Sequence, residues 1–237
     1  MAAEKEIVRL ENVGLQYGSG PEVLRDISLS LAAGSFHFLT GASGAGKTSL
    51  LRLLYLAVRP SRGSLHLFDQ DVSSIGRKQK PALRRRIGVV SREFGLIAHL
   101  TAAENVALPL RVSNARETQI RDYVTELLRW VGLGQDLDEL PSALSDVQKQ
   151  RVAIARAVIG RPDLLLADEP TGSVDDNAAI RLIHLLEELH KVGTTVLVAT
   201  HNDSLVNRFG HPAYALDGGE MRRVGRVAGI RGARRPG

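Results

Sequence analysis

The 237-residue chain contains no cysteine. That excludes disulfides and thiolate metal sites and favours a reducing compartment. Aromatic residues make up only 4% of the chain, and none are interleaved with its basic runs, so no nucleic-acid partner is expected. No run of eighteen or more apolar residues is present, so no segment reads as a transmembrane helix. Met1–Ile7 is charged and lacks the apolar core of a secretory leader, which places the expected location on the cytoplasmic side. What is present is 43% hydrophobic residues, mostly Leu, Val, Ile and Ala, enough for one compact α/β domain with an inserted subdomain. The net charge of +5 is local. It sits in "RKQKPALRRR" (Arg77–Arg86) and in "MRRVGRVAGIRGARRPG" (Met221–Gly237). A solvated face is the simpler reading of these runs; contact with anionic lipid or a membrane partner is the other.

The order of elements is informative. "SFHFLTG" (Ser35–Gly41) reads as a strand that ends in a glycine-rich turn and opens the helical run "KTSLLRLLYLA" (Lys47–Ala57). "RIGVVS" (Arg86–Ser91), "DLLLADE" (Asp163–Glu169) and "TTVLVAT" (Thr194–Thr200) are short apolar runs bounded by polar turns, as expected of strands buried on both faces. Between the last two, Ile183, Leu186 and Leu189/Val192 recur at helical spacing, with Gly193 placed to close the helix in a left-handed cap. Strand, helix, strand implies a parallel sheet. From about residue 98 no buried-strand run occurs until Leu164, and Ile120, Val124, Leu127/Leu128 and Val131 share one helical face. This predicts a helical subdomain over about 98–157. "IVRLENVGLQY" and "LRDISLSLAAG" predict strands of a small antiparallel layer. The expected division is a single main domain over 1–222 and a basic, disordered tail over 223–237.

"GASGAGKT" (Gly41, Ala42, Ser43, Gly44, Ala45, Gly46, Lys47, Thr48) matches G-x-x-x-x-G-K-[ST] in full, between a predicted strand and a predicted helix. Its glycines let backbone N–H groups wrap phosphate oxygens, Lys47 reaches the β/γ-phosphates, and Thr48 can ligate Mg²⁺. Ser49 follows in the helix. "LLLADEP" (Leu164–Pro170) ends an apolar strand in two carboxylates, where Asp168 would hold Mg²⁺ through water and Glu169 would polarise the attacking water. A mere exposed turn is the alternative for that acid pair. His201 closes "VLVATH" at a third strand end; such a histidine is ordinarily structural, but here it converges on the same crevice and reads as a γ-phosphate contact.

These residues resemble the ATP-binding cassette (ABC) ATPases from about Ile7 to Arg222. The resemblance rests on the phosphate loop, on "LLLADEPTGSVD", on His201, and on Leu144–Ala157, "LSDVQKQRVAIARA", where the family writes LSGGQ ahead of a QRVAIARA-type helix. It implies ATP and Mg²⁺ as cofactors, Tyr17 stacked on adenine, Asp175 as the D-loop aspartate, and Ser145 and Gln148 facing the γ-phosphate held by the other subunit of a homodimer. Within the family, "FHFLTGASGAGKTSLLRLLYLAVRPSRG" and "HLTAAENVALPLRV" are most similar to the FtsE-type cell-division branch, with lipoprotein-releasing and macrolide-export ATPases next. An FtsE-type chain would sit peripherally on the inner membrane with an FtsX-like integral membrane protein.

Two positions depart from the family. Its signature glycines are replaced by Asp146 and Val147. A carboxylate about 5 Å from a phosphate charge, at an effective dielectric near 20, costs roughly 3 kcal/mol per unit pair, and Val147 adds a branched Cβ where close backbone approach is wanted. The family's Mg²⁺-sensing Gln is replaced at "VVSREFGL" by Ser91 and Arg92; an Arg cannot ligate Mg²⁺ but supplies positive charge near the γ-phosphate. Arg92 and Asp146 would then be a compensating pair across a dimer, or else independent drift. Weakened hydrolysis is expected, and an ATP-responsive adaptor with little turnover is the alternative to a working motor.

Overall fold

A computed structural model of the chain describes residues 5–113 and 115–224. Its central sheet has the order β10-β9-β3-β8-β7-β6, made of β3 (Phe36–Thr40), β6 (Ile87–Val90), β7 (Leu164–Asp168), β8 (Thr195–Thr200), β9 (Ala213–Asp217) and β10 (Glu220–Val224). The strands from β9 to β6 run parallel; β10 alone returns antiparallel, against β9. Alternate residues of each strand face opposite sides. Leu164 and Leu166 join a cluster with Leu50, Leu53 and Leu54 of α1 (Lys47–Leu54). Leu165 and Ala167 join the opposite cluster, with Ile183 and Leu186 of α6 (Asp176–Lys191). Burial on both faces explains why these strands read as unbroken apolar runs. Gly193 lies just past α6 at φ +101°, the left-handed backbone its position in the sequence predicts.

A second sheet, in the order β2-β1-β4-β5, is antiparallel: β1 (Glu6–Gln16), β2 (Glu22–Ala32), β4 (Arg62–Leu67) and β5 (Gln70–Asp71). Val8, Leu10, Leu24 and Leu31 bring it onto the α1 side of the core. Between β6 and β7 the chain forms the helical layer α3 (Ala102–Val112), α4 (Glu117–Trp130) and α5 (Asp146–Val158). Ile120, Val124, Leu128 and Val131 bury the predicted face of α4 and its end against Val106, Val152 and Ala155. α3 opens in a capping box between Thr101 and Glu104.

β4, β5, β9, β10 and the short helices α2 (Lys80–Arg84) and α7 (Asp203–Phe209) have no counterpart among the sequence-based expectations. β10, "EMRRV", is largely exposed and exists because it pairs with β9, which no local apolar pattern announces. Arg223 and Val224, expected to open the tail, are the end of this strand. The rest of the expected tail, 225–237, lies outside the described residues.

Candidate nucleotide site

The phosphate loop leaves the carboxyl end of β3 and enters α1 at Lys47. Its backbone needs glycine at both ends. Gly41 has φ +145°, and a Cβ there would fall 2.1 Å from the Leu216 carbonyl oxygen; Gly46 caps α1 at φ +107°, where a Cβ would lie 2.8 Å from a Leu24 methyl. The first amides of α1 have no partner within the helix, so its start presents N–H donors to an anion. Ser43, Gly44, Gly46, Lys47, Thr48 and Ser49 line one wall of a crevice of about 170 Å³, and Arg92, Asp168 and Glu169 line the other. Val23 from β2 completes the lining. No sequence signal marks Val23, because its place depends on how the antiparallel sheet packs across the loop.

Parallel register brings the acidic wall to the same level. Asp168 pairs with Ala199 of β8, and Val90 of β6 pairs with Ala167. Thr48 Oγ1 donates to Asp168 Oδ2 at 2.7 Å. The other oxygen, Oδ1, is buried without a partner. Burial raises the Asp168 carboxyl above its ordinary pKa; the Thr48 hydrogen bond opposes this, as do the more distant charges of Lys47 and Arg92. A half-satisfied buried carboxylate beside a hydroxyl fits a hydrated Mg²⁺. Among the described residues no cluster of three His, Cys, Asp or Glu side chains is arranged to hold a metal, so Thr48 and Asp168 would have to share the ion with water and phosphate oxygens, as Mg²⁺ sites commonly do.

Glu169 is almost fully buried and sits in the left-handed backbone region at φ +47°, a cost accepted at functional positions. Its Oε1 lies 3.3 Å from Lys47 Nζ. His201 Nδ1 lies 2.9 Å from Glu169 Oε2, which receives the His201 backbone N–H at 3.3 Å. Lys47 also donates to the carbonyl oxygens of Gly41, at 2.6 Å, and Ala42, at 3.1 Å. Ala45 packs into the core. Tyr17 is 41% exposed, with its hydroxyl donating to Ser49 Oγ at 3.3 Å, so the ring is available for stacking near the start of α1.

Eight of the expected site residues, Tyr17, Gly41, Ala42, Ala45, Ser145, Gln148, Asp175 and His201, lie outside the lining of this crevice. Ser145 caps α5, taking the Gln148 amide at 3.3 Å, while Gln148 Oε1 receives the Ser145 N–H at 3.0 Å and its hydroxyl at 2.8 Å. Asp146 begins α5 and pairs with Lys149 at 3.2 Å. Asp175 caps α6 through the Ala178 amide at 2.9 Å, which with other backbone N–H groups holds its carboxyl below the ordinary range. Ser145, Asp146 and Asp175 are exposed, and Gln148 is half-buried.

Residues 24–172 match the family model described as ABC transporter. The chain is 37% identical over 215 residues to the cell division ATP-binding protein FtsE of Streptococcus pneumoniae, covering 91% of this chain and 94% of that one. It is 38% identical to FtsE of Escherichia coli, again over 215 residues, with 91% and 97% covered. Among solved structures, the ATP-binding cassette MJ0796, described as a dimer in a post-hydrolysis state with ADP and Pi, superposes with a TM-score of 0.85 at 32% identity, covering 93% of this chain and 99% of that one. By the family model and by likeness along nine-tenths of its length, the chain belongs to the ABC transporter family as an ATP-hydrolysing cassette domain that closely resembles FtsE.

Proposed function

We propose that the chain is the ATP-binding subunit of an FtsE/FtsX-type complex acting in cell division, working as a homodimer against an FtsX-like integral membrane protein on the inner face of the membrane. The observation that carries the chemistry is the joined set Thr48–Asp168 and Lys47–Glu169–His201 at the ends of adjacent parallel strands. Likeness to FtsE over nine-tenths of the chain supports the division role. No helix among the described residues is long and apolar enough to cross a membrane, so attachment would depend on a partner or on the basic runs.

In this reading the α1 amides and Lys47 hold the phosphates, and Thr48 and Asp168 hold the Mg²⁺, which when bound neutralises phosphate charge. Glu169 accepts a proton from the attacking water. His201 orients Glu169 through the Nδ1 contact and presents its other nitrogen to the terminal phosphate. Ser145, Gln148 and Asp175 act across the dimer, Tyr17 stacks on adenine, and residues 1–222 form the domain. For Ser145 to reach a phosphate, its hydroxyl must leave Gln148. Asp146 opposes that approach by its charge, and Lys149 offsets part of it.

Steady-state ATPase of the chain reconstituted with its membrane partner tests this, beside Lys47→Ala and Asp146→Gly/Val147→Gly. Wild-type turnover above Lys47→Ala, raised further by the glycines, is expected. Turnover equal to Lys47→Ala but restored by the glycines would instead support the second reading, an ATP-responsive adaptor, which Asp146 at the start of α5 favours. Stimulation by a lipoprotein-releasing or macrolide-export type partner, and not by an FtsX-like one, would move the chain to that branch.

A further inference from the structure

Strand register gathers a set of side chains at the β10 edge of the central sheet. Arg223 of β10 pairs with Tyr214 of β9, and Tyr214 pairs with Leu39 of β3. His37 precedes Leu39 by two residues and so points to the same face. Leu39 and Tyr214 belong to the core cluster shared with the antiparallel sheet, so that face is the one turned to β1 and β2. Two bonds tie the sheets here: the Arg25 N–H donates to Gly219 O at 2.7 Å, and the Tyr214 hydroxyl donates to Ser30 O at 2.9 Å. Beside these ties lies a cavity of about 580 Å³, lined from β1, β2, β3, β9 and β10 and within the size range of small-molecule sites. It shares no lining residue with the nucleotide crevice.

The polar groups of this lining are chiefly donors. His37 is almost fully buried. Its Nδ1 is closed off without a partner; Nε2 is not closed off, and it is the nitrogen left to meet the cavity. An orphaned buried N–H is rarer than an orphaned acceptor, which puts the ring proton on Nε2. Burial, aided by the charge of Arg223, lowers the pKa to about 4, so at neutral pH the ring offers one uncharged N–H. Arg223 forms no salt bridge among the described residues. Arg9 meets Glu11 through Nε at 3.4 Å, which leaves its Nη donors to the cavity. Glu6, the only carboxylate in the lining, already receives the Ser30 hydroxyl at 2.6 Å. Leu10, Leu29 and Met221 supply an apolar wall.

We propose that this cavity is a second anion site, taking a small phosphate monoester between Arg9 and Arg223 with His37 Nε2 donating to it. A phosphate monoester carries nearly two negative charges and three terminal oxygens, enough for two guanidinium forks and one N–H. A carboxylate has one charge and two oxygens, and leaves one of those donors unused. The organic part of the ester lies against Leu10, Leu29 and Met221. A soluble glycerol or sugar phosphate and a monoester lipid headgroup share this chemistry, and the test separates them.

The test is titration of the full chain with glycerol 3-phosphate, followed at the His37 ring nitrogens by NMR, with Mg²⁺ and ADP present throughout to fill the phosphate loop. Saturable movement of the Nε2 signal is expected. Arg223→Gln should weaken binding about tenfold or more, as for a lost charge-assisted pair. Arg222→Gln should stay within about twofold, because Arg222 pairs with Ala215 and points to the opposite face of the same strand. Equal losses in the two variants would overturn the proposal by reducing the site to general attraction. Equal affinity for glycerate, the matched carboxylate, would overturn the phosphate assignment. Flotation with vesicles of phosphatidic acid in phosphatidylcholine, beside phosphatidylcholine alone, tests the other source. Arg223-dependent flotation without a response to glycerol 3-phosphate would place the phosphate on a lipid; the reverse would make it a soluble ester. Neither response would overturn the site altogether.

Discussion

At the scale of the residue, two buried groups set separate expectations. Glu169 is held by Lys47 on one oxygen and His201 on the other, so Glu169→Gln keeps the shape and loses the base. Turnover should fall by about 10² to 10⁴ with nucleotide binding retained, measured by single-turnover hydrolysis beside equilibrium binding. His37 on β3 lies far along the strand from the phosphate loop. It is 7% exposed, its Nδ1 has no partner, and burial, aided by the charge of Arg223, lowers its pKa to about 4. The folded state therefore prefers the neutral ring. Its contribution is present above the unfolded value near 6.5 and is lost as pH falls from there towards 4, by no more than about 3 kcal/mol. Urea denaturation from pH 7 to 4 should show a weaker acid loss in His37→Phe than in wild type; parallel curves would assign that loss to other groups.

At the scale of the element, α5 serves two requirements that pull against each other. Ser145 and Gln148 cap it, and Asp146 sits in its first turn, where a negative charge is favourable to the helix dipole. Ser145→Ala should cost about 1 kcal/mol of folding stability. Asp146→Gly/Val147→Gly should also destabilise, by about 1 to 2 kcal/mol, because two glycines enter a helical turn and the Lys149 pair is lost. If the proposed function is right, the same double variant turns over faster. Opposite signs in denaturation and ATPase assays would separate helix stability from phosphate approach; a variant both less stable and slower would contradict the assignment of α5.

At the scale of the whole molecule, the proposed homodimer would bring the exposed start of α5 in each chain towards the crevice of the other copy. A like-charge cost of roughly 3 kcal/mol corresponds to about a hundredfold in dimer affinity. In a hydrolysis-blocked Glu169→Gln background with ATP, sedimentation should show Asp146→Gly dimerising at clearly lower concentration than the parent chain. Equal midpoints would show that Lys149 or Arg92 already neutralises Asp146.

The sequence alone determined the phosphate loop, the three strand-end residues Asp168, Glu169 and His201, and the apolar faces of α4 and α6. These are local signals: a fixed spacing, an unbroken apolar run, a period of 3.6. It did not announce β4, β9 or β10, whose residues become strands through partners far away in the chain. Only the tertiary structure decided that Val23 lines the crevice, that Lys47 is already engaged by Glu169, that Asp168 keeps one oxygen without a partner, and that Arg156 grips the loop of Arg92. Residue type and spacing say which groups can do chemistry; parallel register and packing across the sheets set which of them meet, and at what distance.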